Sequence, residues 1–219
     1  PTTSYEFTEG LADGEHTVKV KAVDALGNDS VYSAALVFTV HTTPPPVPGI
    51  PTTTSPTKNQ KPSRTWTLSP GAIGYNVYLD GEAMPSEFVV APTPPDAMLF
   101  VHTTTLAEGV HHLQVTAVDD LGNESAKSGT GHVTIDLTGP TAPSAPIAEV
   151  NPTNQPTQLW WWDYVEDAVK FEVQASEDGS TWSPSTDVGN ATSCVTGFAG
   201  DGVTRYLRVR AFDALGNVG

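Results

Sequence analysis

The stretch HHLQVTAVDDLGNES, residues 111–125, decides the reading of this chain. His111, Leu113, Val115 and Ala117 share one side of a two-residue period, and His112, Gln114, Thr116 and Val118 share the other. A mainly apolar row backed by a mixed polar row marks a half-buried antiparallel strand. The run breaks at Asp119, Gly122 and Asn123. Gly takes positive φ without steric cost, Asn tolerates it, and an Asp carboxylate accepts backbone N–H groups across such a bend. The stretch therefore predicts a strand that runs into a hairpin connection.

The phrase occurs three times: AVDALGNDS at 22–30, AVDDLGNES at 117–125 and AFDALGNVG at 211–219. Asp119 follows Asp24 by 95 residues, and Asp213 follows Asp119 by 94. LADGEHTVKVKAVD (11–24) lies over LAEGVHHLQVTAVD (106–119) without a gap, with GDGVTRYLRVRAFD (200–213) as the third copy. FTVHTTPPP, from Phe38, lies over VTIDLTGPT, from Val133. A fixed period of this kind defines tandem repeats. The joins HTTPPPVPGIPTTTSP and LTGPTAPSAP favour extended, semi-rigid backbone. The expected division is 1–42, the C-terminal part of one domain; 43–137, a complete domain; and 138–219, a domain lacking its last strand. A longer tandem array accounts for such ends, and completion by a strand of another chain is the alternative.

SYEF, AALVFTV, YNVYL, EFVV, HVTID and KFEVQA also read as strands. Many short strands with regular turn signals predict an all-β fold of tandem antiparallel sandwiches. TWTLSPGAIGYNVYLDG (65–81) resembles the B-to-C strand region of fibronectin type III domains, and WWDYVEDAVKFEVQASEDG (161–179) is similar to it. Trp66 precedes Tyr75 by nine residues, as Trp162 precedes Phe171. HHLQVTAVDDLGN resembles the F strand and F–G turn of bacterial fibronectin-III-like and Ig-like modules. The resemblance implies Ig-like sandwiches in a large extracellular or surface protein of bacterial type. Such domains usually carry a Tyr, which makes a corner hydrogen bond, where this chain has His16, His111 and Arg205. A His ring nitrogen can take that role, whereas Arg205 would have to snorkel outward.

The chain of 219 residues carries 25 acidic and 10 basic residues, a net charge of −15. That balance argues against nucleic acid and against anionic membrane surfaces. No apolar run approaches the ~18 residues of a membrane helix, so membrane insertion of this segment is not expected. The single Cys194 permits no intramolecular disulfide and reads as a small buried hydrophobe.

The Asp-x-x-Gly-Asn motif reads first as a turn, with Leu26, Leu121 and Leu215 expected to plug the end of the core. Its alternative is a calcium site, which needs ~6–8 oxygens. Asp24, Asp119, Asn123, Asp136 and Asp213 are the candidate ligands, with Glu124 as a further donor; no other cofactor is expected. In LWWWDY (159–164), Trp160 and Trp162 share a face, Trp162 corresponds to Trp66 in the core, and Trp161 faces the other way. An exposed Trp161 can stack on a sugar ring or a partner protein. His111 and His112 point to opposite faces and cannot converge on a metal. Asp119–Asp120 and Glu166–Asp167 are adjacent carboxylates that diverge on extended backbone, and no nucleophile–base motif is present, so catalysis is not expected. Asn28, Asn123 and Asn190 begin glycosylation-type triplets. The expected role is that of structural or spacer repeats in an extracellular cell-surface, adhesin or filament protein, meeting neighbouring repeats or other surface chains. The alternative is a carbohydrate- or protein-binding accessory module of a secreted polysaccharide-degrading enzyme.

Overall fold

Runs of Val, Tyr, Phe and Thr broken by Pro and Gly fold here as short antiparallel strands, as their pleat-filling side chains favour. The computed structural model describes residues 4–92, 98–149, 156–197 and 202–219. The chain divides into two compact units. One comprises Pro1–Thr53, Ser63–His102 and His111–His132; the other comprises Thr54–Pro62, Thr103–Val110 and Val133–Gly219. Among the described residues there are strands, turns and no helices.

In the first repeat, β1 (Gly14–Val18) pairs with β2 (Leu36–Val40), with Gly14 opposite Val40 and Val18 opposite Leu36. The expected strand at residues 4–7 is not formed.

The second repeat pairs β3 (Ser63–Trp66) with β6 (Met98–Val101). Its larger sheet runs β5 (Glu87–Val90), β4 (Gly74–Leu79), β7 (Gly109–Val118), β8 (Gly131–Ile135). In the third repeat, β10 (Thr157–Trp161) lies between β13 (Ser193–Gly197) and β9 (Ile147–Ala148). Its other sheet sets β11 (Lys170–Ser176) between β12 (Thr186–Asp187) and β14 (Tyr206–Phe212). The fold is all-β and Ig-like, with the strands that resembled B and C on different sheets of one sandwich.

The nine-residue spacing has a packing cause. It brings Trp66 on one sheet to Tyr75 on the other, centroids 5.5 Å apart and planes at 76°. Trp162 meets Phe171 in the same way, at 5.8 Å and 63°. Edge-to-face pairs of this kind add about 0.5–1.5 kcal/mol beyond their area burial. Val77, Met98, Phe100, Leu113, Val115 and Ala117 complete the first of these cores, and Val165, Val173 and Ala211 the second. The Tyr75 hydroxyl also accepts the Ser69 N–H at 2.8 Å.

Candidate functional site: the repeated turn and its joints

The three copies of the motif share one hydrogen-bond pattern. Asp24 Oδ1 accepts the N–H groups of Leu26 and Asn28 at 2.9 and 2.8 Å, and its Oδ2 accepts Asn28 Nδ2 at 2.9 Å. Asp119 takes Leu121 N, Asn123 N and Asn123 Nδ2 at 3.0, 2.8 and 2.8 Å. Asp213 takes Leu215 N, Asn217 N and Asn217 Nδ2 at 2.8, 2.8 and 2.9 Å. Gly27, Gly122 and Gly216 have φ of 88°, 85° and 79°, a region that only Gly occupies cheaply. The Asn28 side chain, then backbone N–H groups, holds the Asp24 carboxyl below its usual range. At Asp119 and Asp213 burial works the other way, but the hydrogen bonds outweigh it and the shift is again downward.

The turn leucines do not plug the core. Leu26 is 89 % and Leu121 63 % exposed, and Leu215 is half-buried. The Asp carboxylate captures the Leu N–H, which sets that residue at the tip of the turn and leaves its side chain outside.

The two later turns do something the sequence did not suggest. Asn123 Nδ2 donates a second hydrogen bond, to the His41 carbonyl, at 3.1 Å. Asn217 Nδ2 donates one to the Asp136 carbonyl, also at 3.1 Å. His41 and Asp136 are equivalent positions, 95 residues apart, at the start of the Pro/Thr-rich joins. Each lies four residues before a buried proline, Pro45 or Pro140. The opposite side of each join is held as well. Asp13 accepts Thr42 N and Oγ1 at 2.8 and 2.5 Å, and Thr43 N and Oγ1 at 3.1 and 2.6 Å. The side-chain hydroxyls of Thr42 and Thr43 hold its carboxyl down at about 2. Glu108, the equivalent of Asp13, accepts the Thr138 hydroxyl. The His41 ring lies between two carboxylates, Nε2 3.7 Å from Asp119 Oδ2 and Nδ1 3.9 Å from Asp13 Oδ2.

Of the calcium candidates, Asp119 and Asn123 form one turn, Asp24 belongs to another, and Asp136 meets the turn of Asp213 through its carbonyl. The Asp136 carboxylate accepts the Thr138 N–H at 3.2 Å. Glu124 Oε1 faces elsewhere, accepting Asn76 Nδ2, the Tyr78 hydroxyl and the Thr116 hydroxyl. Among the described residues, no three His, Cys, Asp or Glu side chains cluster as a metal-binding group.

The Asn-x-Ser triplets serve the hairpin. Ser30 Oγ accepts the Ala22 N–H and Ser125 Oγ the Ala117 N–H, both at 2.9 Å. Ser33 and Ser128 do the same for Val20 and Val115, each at 3.1 Å. The signal for these bonds was the shared Asn-x-Ser-x-x-Ser spacing of 28–33 and 123–128.

Trp161 is 41 % exposed on β10, while Trp162 is buried. Its cross-strand neighbours are Ile147 and Ser193, and the next row pairs Leu159 with Val195. This is a small uncharged outward face. His16 makes the expected corner bond, its Nε2 donating to the Ala12 carbonyl at 2.7 Å. His111 instead meets Asp80 Oδ2 at 2.8 Å, and Arg205 reaches Glu177 Oε1 at 3.1 Å.

No family model matches the chain. Exoglucanase B of Cellulomonas fimi is 31 % identical over 237 aligned positions, which take in 99 % of this chain and 20 % of that protein. The chain thus spans about one fifth of the length of the curated relative it matches. The FN1–FN3 domains of chicken CNTN1 align with 91 % of this chain and 73 % of that one, at 18 % identity and a TM-score of 0.39.

Proposed function

We propose that this chain is a non-catalytic accessory segment of an extracellular polysaccharide-degrading enzyme, a set of sandwiches that spaces and orients the domains it joins. The observation that supports the reading is the match of 99 % of the chain to a fifth of an exoglucanase. A segment of that kind needs self-contained cores and linkers of limited bend. The cores around Trp66 and Trp162 and the clamped joins at Thr42–Thr43 and Thr138 supply both. The match to an exoglucanase favours this reading over the adhesin or filament role. The test is the reading frame that encodes the chain. A glycan-cleaving domain in it is the expected result, and a frame made only of further repeats overturns the proposal.

The exposed Trp161 face favours a second element, contact with the glycan itself. An uncharged ring flanked by Ile147 and Ser193 suits a neutral sugar chain. Suspended microcrystalline cellulose should deplete the chain from solution, and Trp161→Ala should abolish the depletion. Equal depletion of both proteins removes Trp161 from the reading. Release of reducing sugar by the chain alone would end its non-catalytic assignment.

A further inference from the structure

The three turns are one motif, and in two of them the asparagine makes a further bond that gives it a role. Within the turn, Asn28, Asn123 and Asn217 are alike: each places one Nδ2 proton on the Asp Oδ2. Asn123 and Asn217 place the other on a linker carbonyl, 82 and 81 residues earlier in the chain. Among the described residues, Asn28 has no such second acceptor. The carboxylate is what makes the second bond directional. It fixes the amide plane, so that the remaining proton points along one line out of the turn.

The acceptors are equally constrained. A linker carbonyl is held in place by the buried proline four residues on, whose ring fixes φ, and by the Asp13 or Glu108 carboxylate behind it. At the second joint the backbone itself comes close. A Cβ at Gly139 would lie 2.2 Å from the Val218 carbonyl oxygen, and one at Gly219 would lie 2.1 Å from the Pro140 carbonyl oxygen. The turn and the incoming linker therefore meet over a surface, with the Asn amide at its polar centre.

We propose that the Asp-x-Leu-Gly-Asn turn is a docking surface for the extended Pro/Thr linker that enters its own repeat, with Asn123 and Asn217 as the positioning residues of the two joints. The ligand is a main-chain carbonyl on extended backbone, four residues ahead of a proline. The asparagine bond uses only the acceptor's main chain, so His41 and Asp136 serve equally in it. This role does not depend on what the assembled chain is attached to, and it stands or falls separately from the enzyme-accessory reading.

The test is 15N relaxation on the full chain. In the unmodified protein the linker amides of Thr42 and Thr43 should be as ordered as the strands, with order parameters near ~0.85. Asn123→Ala should drop them toward the flexible range, below ~0.6, with β3–β8 chemical shifts otherwise retained. Asn28→Ala and His41→Ala should leave them unchanged. Linker order that survives Asn123→Ala, or that His41→Ala lowers as far, overturns the proposal. Should Asn123→Ala disturb the turn itself, two measurements remain decisive. Gly139→Ala, which alters a linker residue and drives its Cβ against the Val218 carbonyl, should loosen residues 137–142 at the second joint, and unchanged order there counts against the surface. In the unmodified chain, both side-chain amide protons of Asn123 and Asn217 should exchange slowly with solvent, against one of the two for Asn28. Fast exchange of the second amide proton of Asn123 and Asn217 would refute the proposal.

Discussion

The second and third repeats fill the same two slots beside their core tryptophans in opposite ways. Arg64 lies two residues before Trp66, and Trp160 two before Trp162; His102 follows Phe100 as Thr196 follows Cys194 on the paired strand. In the third repeat the slots satisfy each other, Trp160 Nε1 donating to Thr196 Oγ1 at 2.8 Å. In the second repeat, Arg64 is 0 % and His102 5 % exposed, and among the described residues the Arg64 guanidinium nitrogens and His102 Nε2 have no hydrogen-bond partner. Burial lowers the Arg64 pKa, and the Asp80 carboxylate only partly opposes that shift. One repeat thus solves a polar problem within the slots, and the other carries a desolvated cation there. A sandwich tolerates such a load when its remaining core is well packed, and the second repeat has the larger buried cluster.

Breaking the shared part of the two cores comes first in magnitude. Tyr75→Ala and Phe171→Ala should each cost about 3–5 kcal/mol, since both rings are almost fully buried against a tryptophan. Residue-resolved hydrogen exchange assigns the loss to one sandwich or the other, through Leu113 and Val115 in the second repeat or Val173 in the third. Tyr75→Phe, which leaves the Ser69 N–H without its acceptor, should cost about 1–3 kcal/mol. Phe171 has no hydroxyl to lose, so no such effect exists there.

Acid separates the repeats next. Burial, then the Arg64 charge, pushes the His102 pKa down to about 4 from the ordinary 6.5. An unfolded His102 binds its proton below pH 6.5, and the folded one only below about 4. The second-repeat sandwich should therefore lose stability as pH falls from 6.5 to 4, by about 3 kcal/mol. The third repeat, with Thr196 in that slot, should respond less in this window, only through carboxylates such as Glu172, whose hydrogen bonds from Ser185 and Arg210 hold its pKa down at about 2. Exchange rates of the Val115 and Val173 amides, followed from pH 7 to 4, check the contrast; equal responses contradict it.

What could be read in the sequence follows from which bonds leave a side-chain signature. Two-residue alternation exposed the strands, the nine-residue spacing exposed the Trp66–Tyr75 and Trp162–Phe171 pairs, and the Asp-to-Gly-Asn spacing exposed the turn. The same alternation also placed Arg64 on the Trp66 side of Ser63–Trp66, a sign of its burial that its charge obscures. The joints left no mark, because the acceptors at His41 and Asp136 are backbone carbonyls some eighty residues upstream, indifferent to side chain. The turn leucines misled because an apolar residue in a hairpin suggests a plug, whereas here the leucine N–H, and not its side chain, is the part that faces inward.

Removing the desolvated cation should sharpen the comparison. Arg64→Met keeps the length and apolar character of the stem and deletes a buried charge that, among the described residues, has no hydrogen-bond partner. Replacement of buried charges by apolar groups of similar volume is commonly neutral or stabilising, by about 1–4 kcal/mol. A gain toward the lower end is expected, because Asp80 already offsets part of the load. The same change should bring the His102 pKa back up, since Arg64 is its second cause of depression, and so narrow the acid response.

The smallest effect tests whether the third repeat's slots are really satisfied. Thr196→Val preserves shape and removes the acceptor for the Trp160 indole N–H. Trp160 is half-buried, so water can partly replace the lost partner, and the cost should be about 1 kcal/mol. The matching exchange in the second repeat, Arg64→Trp with His102→Thr, imports the satisfied pair. The two substitutions should be coupled, the double variant being more stable than the sum of the single ones implies. Strict additivity would mean that the Trp160–Thr196 bond does not account for the difference between the repeats, and the larger cluster around Trp66 would then have to explain it.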